Sequence, residues 1–103
     1  MKKLQEEIKI FCQVNGLIRP VEYQLLDMVS ELGEVAKEIL RSSDYGKKPV
    51  EYKEELKQEL GDVLYSLITV ANGLDIDLEL AVKQAIVKYQ ARLTKGSPGS
   101  END

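Results

Sequence analysis

Apolar residues recur every three or four positions along most of the chain, and this spacing restricts the fold more than any other feature. The first such segment extends from Lys2 to about Val14 and carries Leu4, Ile8, Phe11 and Cys12. That period places apolar side chains on one face of an α-helix, whereas a half-buried strand needs strict alternation of apolar and polar residues. The sequence contains no convincing alternating run. The spacing therefore predicts an all-α protein.

Turn-forming residues end the first helix and separate it from a second. Asn15-Gly16 supplies a left-handed stop, and Pro20 suits the first turn of the next helix, where its missing N–H costs nothing. The apolar pattern then continues to about Arg41. Residues 42–49 are rich in Ser, Asp, Gly and Lys and end in a proline, which predicts the one long internal loop.

Two further helices complete the predicted fold. The third is expected to begin near Val50 or Glu51 and to stop at Asn72-Gly73. Asp77 is the predicted N-cap of the fourth, since its side chain can accept a hydrogen bond from a free backbone N–H. Mostly short connections favour antiparallel neighbours, so we expect an antiparallel four-helix bundle.

The length and the two ends of the chain predict its organisation. With 103 residues the chain has material for one small domain, which we place at residues 1–94. Residues 95–103 are polar and rich in Gly and Ser, and we expect a disordered tail there. The charged N-terminal segment is unlike a secretory signal, and no apolar run approaches the ~18 residues of a membrane span. We therefore expect a soluble, cytoplasmic protein that is not bound to a membrane.

Composition narrows the chemistry. Lys and Arg number 14 against 18 Asp and Glu, a net charge of −4, so the basic excess typical of nucleic-acid binders is missing and no nucleic-acid partner is expected. The chain has no histidine, which excludes histidine bases and imidazole zinc sites. Cys12 is the single cysteine and is expected in the core. Carboxylates, lysines and tyrosines are left for catalysis.

Two stripes of acidic residues border the apolar faces of the second and third helices. On the second helix the stripe consists of Asp27, Glu31, Glu34 and Glu38, and on the third of Glu55, Glu59 and Asp62. Packing these helices together would bring the stripes together at the edge of the core. Such stripes are most often solvated faces. Like charges at this spacing repel, however, so a hard divalent cation with oxygen ligands is the alternative interpretation.

The fourth helix carries a polar and basic stripe beside its apolar face. Its members are Gln84, Lys88, Arg92 and Lys95. By itself the stripe is interpreted as a solvated rim whose cations balance the helix C-terminus. Beside a carboxylate-bound metal, arginine and lysine are the side chains that a polyphosphate requires. The combination suggests metal-assisted phosphoryl chemistry.

Three segments in order resemble the MazG-like all-α nucleoside triphosphate pyrophosphohydrolases. Residues 30–38, SELGEVAKE, resemble the E-E-x-x-E segment of the family, and residues 59–65, ELGDVLY, match its E-L-G-D-[VL]-L-[YF] segment. Residues 88–93, KYQARL, resemble its K-[FY]-x-x-R-[FL] element. The similarity extends from about Pro20 to Leu93. One position departs from the pattern, because Ser30 stands where the family has the first Glu.

The resemblance implies hydrolysis of a nucleoside triphosphate between the α and β phosphates, giving a monophosphate and pyrophosphate, in the role of nucleotide-pool house-cleaning. It implies a site for Mg²⁺, with Mn²⁺ as the alternative ion, held by Glu31, Glu34, Glu59 and Asp62. Lys88 and Arg92 correspond to phosphate-binding positions, and Asn72 to a nucleotide contact. Because no histidine is available, Glu34 or Glu38 is the candidate general base. The resemblance also implies a homodimer or homotetramer.

Two rival interpretations stay open at this point. The phosphoribosyl-ATP pyrophosphohydrolases share the fold and the acidic pattern, although they more often carry Ala-Asp and a nearby His after the second acidic pair. This chain has Gly61-Asp62 and no His. The second rival is a non-catalytic helical interaction module in which both acidic stripes are only solvated surfaces.

Overall fold

The computed structural model describes residues 1–96, which form four α-helices. They are α1 (Lys2–Val14), α2 (Val21–Ser42), α3 (Glu55–Gly73) and α4 (Leu78–Thr94). No strand occurs within these 96 residues. The predicted all-α fold class is therefore confirmed. Most of the predicted disordered tail, residues 97–103, lies outside the described part of the chain.

Helix α3 is the centre of the packing, and α1 runs antiparallel to it. Gln5 near the start of α1 lies beside Asn72 near the end of α3, and further along α1 the Cys12 Sγ lies 3.4 Å from the Tyr65 hydroxyl. The hydrogen bond with Cys12 and burial raise the pKa of Tyr65 to about 12, so this hydroxyl stays protonated at neutral pH. Cys12 is buried, as the sequence predicts.

Helix α2 also runs antiparallel to α3 and makes the larger contact with it. The beginning of α2 lies against the end of α3, where Val21 and Gln24 approach Gly73. At the opposite end, the charge of Glu38 acts on Glu59. The residues of α2 and α3 therefore face each other along a seam that extends over most of both helices.

Two predicted helix ends are confirmed. Gly16 adopts a left-handed conformation, with φ of 63°, immediately after α1. At the start of α4, the Asp77 carboxylate accepts a hydrogen bond of 3.1 Å from the N–H of Leu80, which satisfies one of the free donors of the first turn.

The predicted start of α3 near Val50 or Glu51 is wrong, because the helix begins at Glu55. The apolar period of α3 begins only at Leu56, so the preceding residues have no apolar face to bury. Tyr52 and Lys53 instead line a small recess beside Ile39 at the end of α2. The loop is consequently longer than the turn-residue cluster alone predicted.

The predicted stop of α3 at Asn72-Gly73 is confirmed, although Gly73 itself is not left-handed. It is the last residue of α3, and the left-handed residue of this turn is Asp75, with φ of 55°. A Cβ at Gly73 would lie 2.5 Å from the Val21 Cγ2 atom. Glycine is required here because α2 approaches α3 closely.

The core of the single chain is small. Its buried apolar residues are Cys12, Val35, Ile68, Val70 and Ala71, and of these only Ile68 is completely inaccessible. Helix α4 has no buried residue, and its side chains Val82, Ile86, Tyr89 and Leu93 are each 45–60% exposed. Amphipathic helices normally bury such a face. The apolar face of α4 is therefore left unpartnered within the described chain.

None of the helices in residues 1–96 is long and apolar enough to cross a membrane.

Candidate functional site

Carboxylates from α2 and α3 meet at the half of the seam that lies nearer the long loop. We call Glu34, Glu38, Glu59 and Asp62 the carboxylate cluster. Burial, followed by the charges of Glu38, Glu34 and Asp62, raises the pKa of Glu59. A neighbour must lie close to act in this way, so the two acidic stripes face each other across the seam, as their position beside the apolar faces predicts.

The Glu59 carboxylate is the innermost member of the cluster. Its Oε2 atom is buried and has no hydrogen-bond partner among the described residues. A buried acceptor without a partner is unfavourable, and here the nearest charges are other carboxylates. A hard cation would satisfy this oxygen and relieve the repulsion, and the cluster offers only the oxygen ligands that Mg²⁺ prefers. The chemistry of these side chains thus fits a divalent ion.

The carboxylates do not converge on one point. Within residues 1–96 no three acidic or sulfur side chains are arranged as a ready metal-binding group. Glu34 and Asp62 are exposed, and Glu38 pairs with Arg41 at 4.0 Å. Of the four predicted ligands, the structure brings Glu34, Glu59 and Asp62 to the seam, whereas Glu31 is half-buried and does not contribute to the pKa shift of Glu59.

The predicted phosphate-binding residues lie elsewhere. Lys88 and Arg92 lie over the ring of Tyr89 on α4, with their charged groups 4.9 Å and 5.5 Å from its centroid. Neither forms an ion pair with a carboxylate of the described residues. Within one chain, the structure therefore does not bring these cations to the carboxylate cluster.

Asn72, the predicted nucleotide contact, lies at the far end of the seam. Its Oδ1 accepts a hydrogen bond from Gln5 Nε2 at 3.1 Å, and its Nδ2 donates to the main-chain oxygen of Gln5 at 3.0 Å. The carboxamide of Asn72 is thus engaged in joining α1 to α3. A role in nucleotide binding would have to be shared with this contact.

Sequence reasoning did not single out Arg19 and Gln24. Arg19 pairs with Asp27, so the first carboxylate of the α2 stripe is neutralised. Gln24 is buried on the same face of α2 as Glu31, seven residues before it. The spacing could have identified Gln24. An uncharged polar residue that shares a helix face with acidic residues indicates that the polar face extends into the buried part of the protein.

A helical chain with facing carboxylates on an antiparallel helix pair is the architecture of the all-α nucleotide pyrophosphohydrolases. Residues 20–96 match the MazG nucleotide pyrophosphohydrolase domain, and the chain belongs to that family. It is 34% identical over 97 residues to the protein YpjD of Bacillus subtilis strain 168, which covers 89% of this chain and 85% of YpjD. It is 35% identical over 82 residues to the Gene 37 protein of Mycobacterium phage L5, which covers 77% and 71%.

Solved structures agree with this assignment. The crystal structure of Bacillus subtilis YpjD superimposes with a TM-score of 0.73 at 33% identity, covering 89% of this chain and 94% of that one. The Bacillus-conserved MazG protein, a nucleotide pyrophosphohydrolase, superimposes with a TM-score of 0.65 at 28% identity, covering 99% and 94%. Hydrolysis of a nucleotide pyrophosphate bond is therefore the class of activity that the family defines for this chain.

Proposed function

We propose that the protein hydrolyses nucleoside triphosphates to the monophosphate and pyrophosphate in a reaction that depends on Mg²⁺, and that it clears unwanted nucleotides from the pool in the cytoplasm. The observation that carries the proposal is the buried, unpartnered Oε2 atom of Glu59 opposite the carboxylates of α2. Without a cation, the buried oxygen and the repulsion between the carboxylates are both unfavourable. A bound divalent cation would remove both penalties.

Glu31, Glu34, Glu59 and Asp62 are the residues proposed to hold the ion. When bound, Mg²⁺ would offset the charge of the phosphate oxygens and position the triphosphate. Ser30, which replaces the first Glu of the family pattern, is exposed on α2. The proposed ligands therefore begin one residue later, at Glu31.

The cluster also supplies the proton acceptor. Water attacks the α-phosphorus, the bond to the α–β bridging oxygen breaks, and pyrophosphate leaves with the electron pair of that bond. The proton of the water passes to a carboxylate, and Glu34 and Glu38 are the candidates because both face Glu59 across the seam. Glu38 also pairs with Arg41 at 4.0 Å.

A second copy of the chain is proposed to complete the site. The exposed area of 7920 Å² exceeds the about 5,800 Å² that a compact monomer of 11.6 kDa presents. The radius of gyration is 16.9 Å, against about 13 Å for a compact domain of this length. The difference in area is larger than the roughly 800 Å² that each partner buries in a standard interface.

The unpartnered apolar face of α4 is the surface at which we expect the second copy to bind, because α4 carries Lys88 and Arg92. If the α4 of one copy packs on the seam of another, Lys88 and Arg92 reach the phosphates held by the partner's carboxylates. A homodimer satisfies this arrangement, and a homotetramer would pair two such dimers.

The test is incubation of the protein with a panel of nucleoside triphosphates, and with phosphoribosyl-ATP, in Mg²⁺, in Mn²⁺ and in chelator, with the products resolved. Metal-dependent release of pyrophosphate and monophosphate is expected. Release of orthophosphate, or no turnover of any nucleotide, contradicts the proposal. Preference for phosphoribosyl-ATP would select the rival enzyme, and absence of saturable Mg²⁺ binding by calorimetry would select the non-catalytic interaction module.

A matched set of variants identifies the residues. Glu59→Gln with Asp62→Asn is expected to abolish turnover, whereas Glu54→Gln is expected to have no effect, because Glu54 is 84% exposed and pairs with Lys57. Persisting activity in the double variant would show that these carboxylates are not the ligands.

A further inference from the structure

Gln24 is the buried polar side chain that the proposed chemistry does not use. It is 8% exposed, and its Oε1 atom is inaccessible and without a hydrogen-bond partner among the described residues. The carboxamide points toward Gly73, since Oε1 lies 3.4 Å from the position that a Cβ on this glycine would occupy. Buried amides are nearly always paired, so an unpaired one marks a place where a partner is missing.

The surroundings of Gln24 are hollow. A cavity of about 110 Å³ lies between the end of α1, the start of α2 and the end of α3, with Cys12 and Ile18 among its walls. A second, of about 270 Å³, opens toward Tyr65 and Ser66. Gln24, Arg19 and Thr69 line both. The carboxamide therefore stands where the two cavities meet.

Three polar neighbours of Gln24 are already engaged with other residues. The Thr69 hydroxyl donates to the Ser66 carbonyl at 2.7 Å, and both ends of the Asn72 carboxamide bind Gln5. Arg19 pairs with Asp27. Lys9 and Gln13 also line the first cavity, but both are exposed. Gln24 is thus the buried side chain at this position that retains its hydrogen-bonding capacity for a ligand.

The cavities continue the seam that holds the carboxylate cluster. Gln24 and Glu31 share one face of α2 and are separated by about 10 Å along the helix axis. Between them Asp27 is neutralised, and α3 contributes hydroxyls instead of carboxylates. Glu34, the nearest cluster residue on α2, lies about 15 Å from Gln24 along the helix axis. One half of the seam is thus suited to phosphates and a cation, whereas the described residues that line the other half offer no unpaired carboxylate.

We propose that Gln24 determines base specificity: the nucleobase of the substrate enters this cavity and pairs with the Gln24 carboxamide while its phosphates lie at the carboxylate cluster. The inference rests on the proposed function. A carboxamide presents an acceptor and a donor side by side, and nucleobases carry the complementary pair on their edges. All nucleoside triphosphates carry the same phosphates, so the carboxylate cluster cannot distinguish one base from another. The contact that distinguishes the bases must therefore lie at the Gln24 end of the seam.

The experiment compares two ligands that differ only in the base. Binding of nucleoside 5′-monophosphates and of ribose 5-phosphate is measured by calorimetry in Mg²⁺ for the wild type, Gln24→Met and the control Gln90→Met, an exposed residue of α4. Methionine keeps the length of the side chain and removes its hydrogen bonds. Gln24→Met is expected to weaken binding of the preferred monophosphate about tenfold. Ribose 5-phosphate binding is expected to be unchanged, as is all binding by Gln90→Met.

Two outcomes overturn the inference: equal binding of the monophosphate by wild type and Gln24→Met, or a parallel loss for ribose 5-phosphate, which would indicate a packing role. Thermal melting checks that the variant folds. If it does not fold, the wild type decides, because the NMR signals of the Gln24 side-chain amide must shift with the monophosphate and not with ribose 5-phosphate.

The two proposals fail separately. If the wild type hydrolyses no nucleotide but Gln24→Met selectively weakens monophosphate binding, the proposed activity is wrong and the base site stands. If nucleotides are hydrolysed and the base-dependent difference is missing, the base site is wrong and the activity stands.

Discussion

Gln5 and Asn72 exchange two hydrogen bonds across the contact between α1 and α3, at 3.1 Å and 3.0 Å. Gln5 also binds the chain beyond α3, since its Nε2 donates to the Ile76 carbonyl at 2.8 Å and its Oε1 accepts from the N–H of Leu78 at 2.9 Å. One buried side chain therefore joins α1, the end of α3 and the first turn of α4. The N-terminal amino group of Met1 adds a second link to α4, through Glu79 at 3.4 Å.

Replacing Gln5 with Leu is expected to lower the free energy of unfolding by about 2–3 kcal/mol, because several partly buried polar groups lose their partner at once. Urea denaturation measures the change. Gln13→Leu is the matched control, since Gln13 is exposed on the same helix and its replacement should stay within about 0.5 kcal/mol of the wild type. Equal stability of the two variants would show that the Gln5 contacts contribute nothing.

Gly73→Ala tests the close approach of α2 to α3. The added Cβ would lie 2.5 Å from Val21 Cγ2, and relieving such a clash is expected to cost about 1–3 kcal/mol. Gly61→Ala, at a helical glycine with open space around it, is expected instead to stabilise by about 0.5–1 kcal/mol.

A double-mutant cycle ties the effect to its cause. Val21→Ala removes the clashing methyl group, so Gly73→Ala should cost less in that background. If the cost is the same with and without Val21, the glycine is required for another reason.

The sequence predicted the helices well because their signals are local. Periodic apolar residues, the left-handed Gly16 and the capping Asp77 each act within a few residues. Long-range contacts were not predictable in this way. Gly73 ends α3 as the sequence predicts, but its contact with Val21, which lies 52 positions earlier in the chain, could not be read from local signals.

For the candidate site, too, local features could be predicted from the sequence and long-range contacts could not. The acidic stripes could be read from spacing because i, i+3 and i+4 positions share a helix face. The engagement of Asn72 by Gln5 could not, since it depends on how α1 lies on α3. The separation of Lys88 and Arg92 from the carboxylates could not be predicted either, because the sequence does not say whether an amphipathic helix packs on its own chain or on another.

The stability of the protein without metal should depend on the ionisation of Glu59. Its pKa is raised in the folded state, so the protonated form favours folding below the ordinary pKa of a glutamate, near 4.5, and this contribution is lost as the pH rises through the raised value. Glu59→Gln mimics the protonated form. In chelator, its melting temperature relative to wild type should therefore increase from pH 4 to pH 7.

Two comparisons make the result specific. Glu54→Gln, at an exposed position outside the cluster, should show a difference from wild type that does not vary with pH. Adding Mg²⁺ at pH 7 should stabilise the wild type and have less effect on Glu59→Gln, because the ion binds the charged carboxylate. A melting difference for Glu59→Gln that is constant across this range would contradict the assigned repulsion.

Mixing two inactive variants decides whether α4 acts on its own chain or on its partner. One chain carries Glu59→Gln, and the other carries Lys88→Ala with Arg92→Ala. If the cations serve the partner's carboxylates, each mixed dimer contains one intact site, because the second chain's carboxylates meet the first chain's α4. Random exchange makes half of the dimers mixed, so about a quarter of wild-type activity should return. If Lys88 and Arg92 serve their own chain, every site keeps one defect and mixing restores nothing.

Ile86→Glu in both chains supplies the control. It places a charge on the exposed face of α4, and it should prevent both association in sedimentation and recovery of activity. Recovery despite that substitution would mean that the chains meet through another surface.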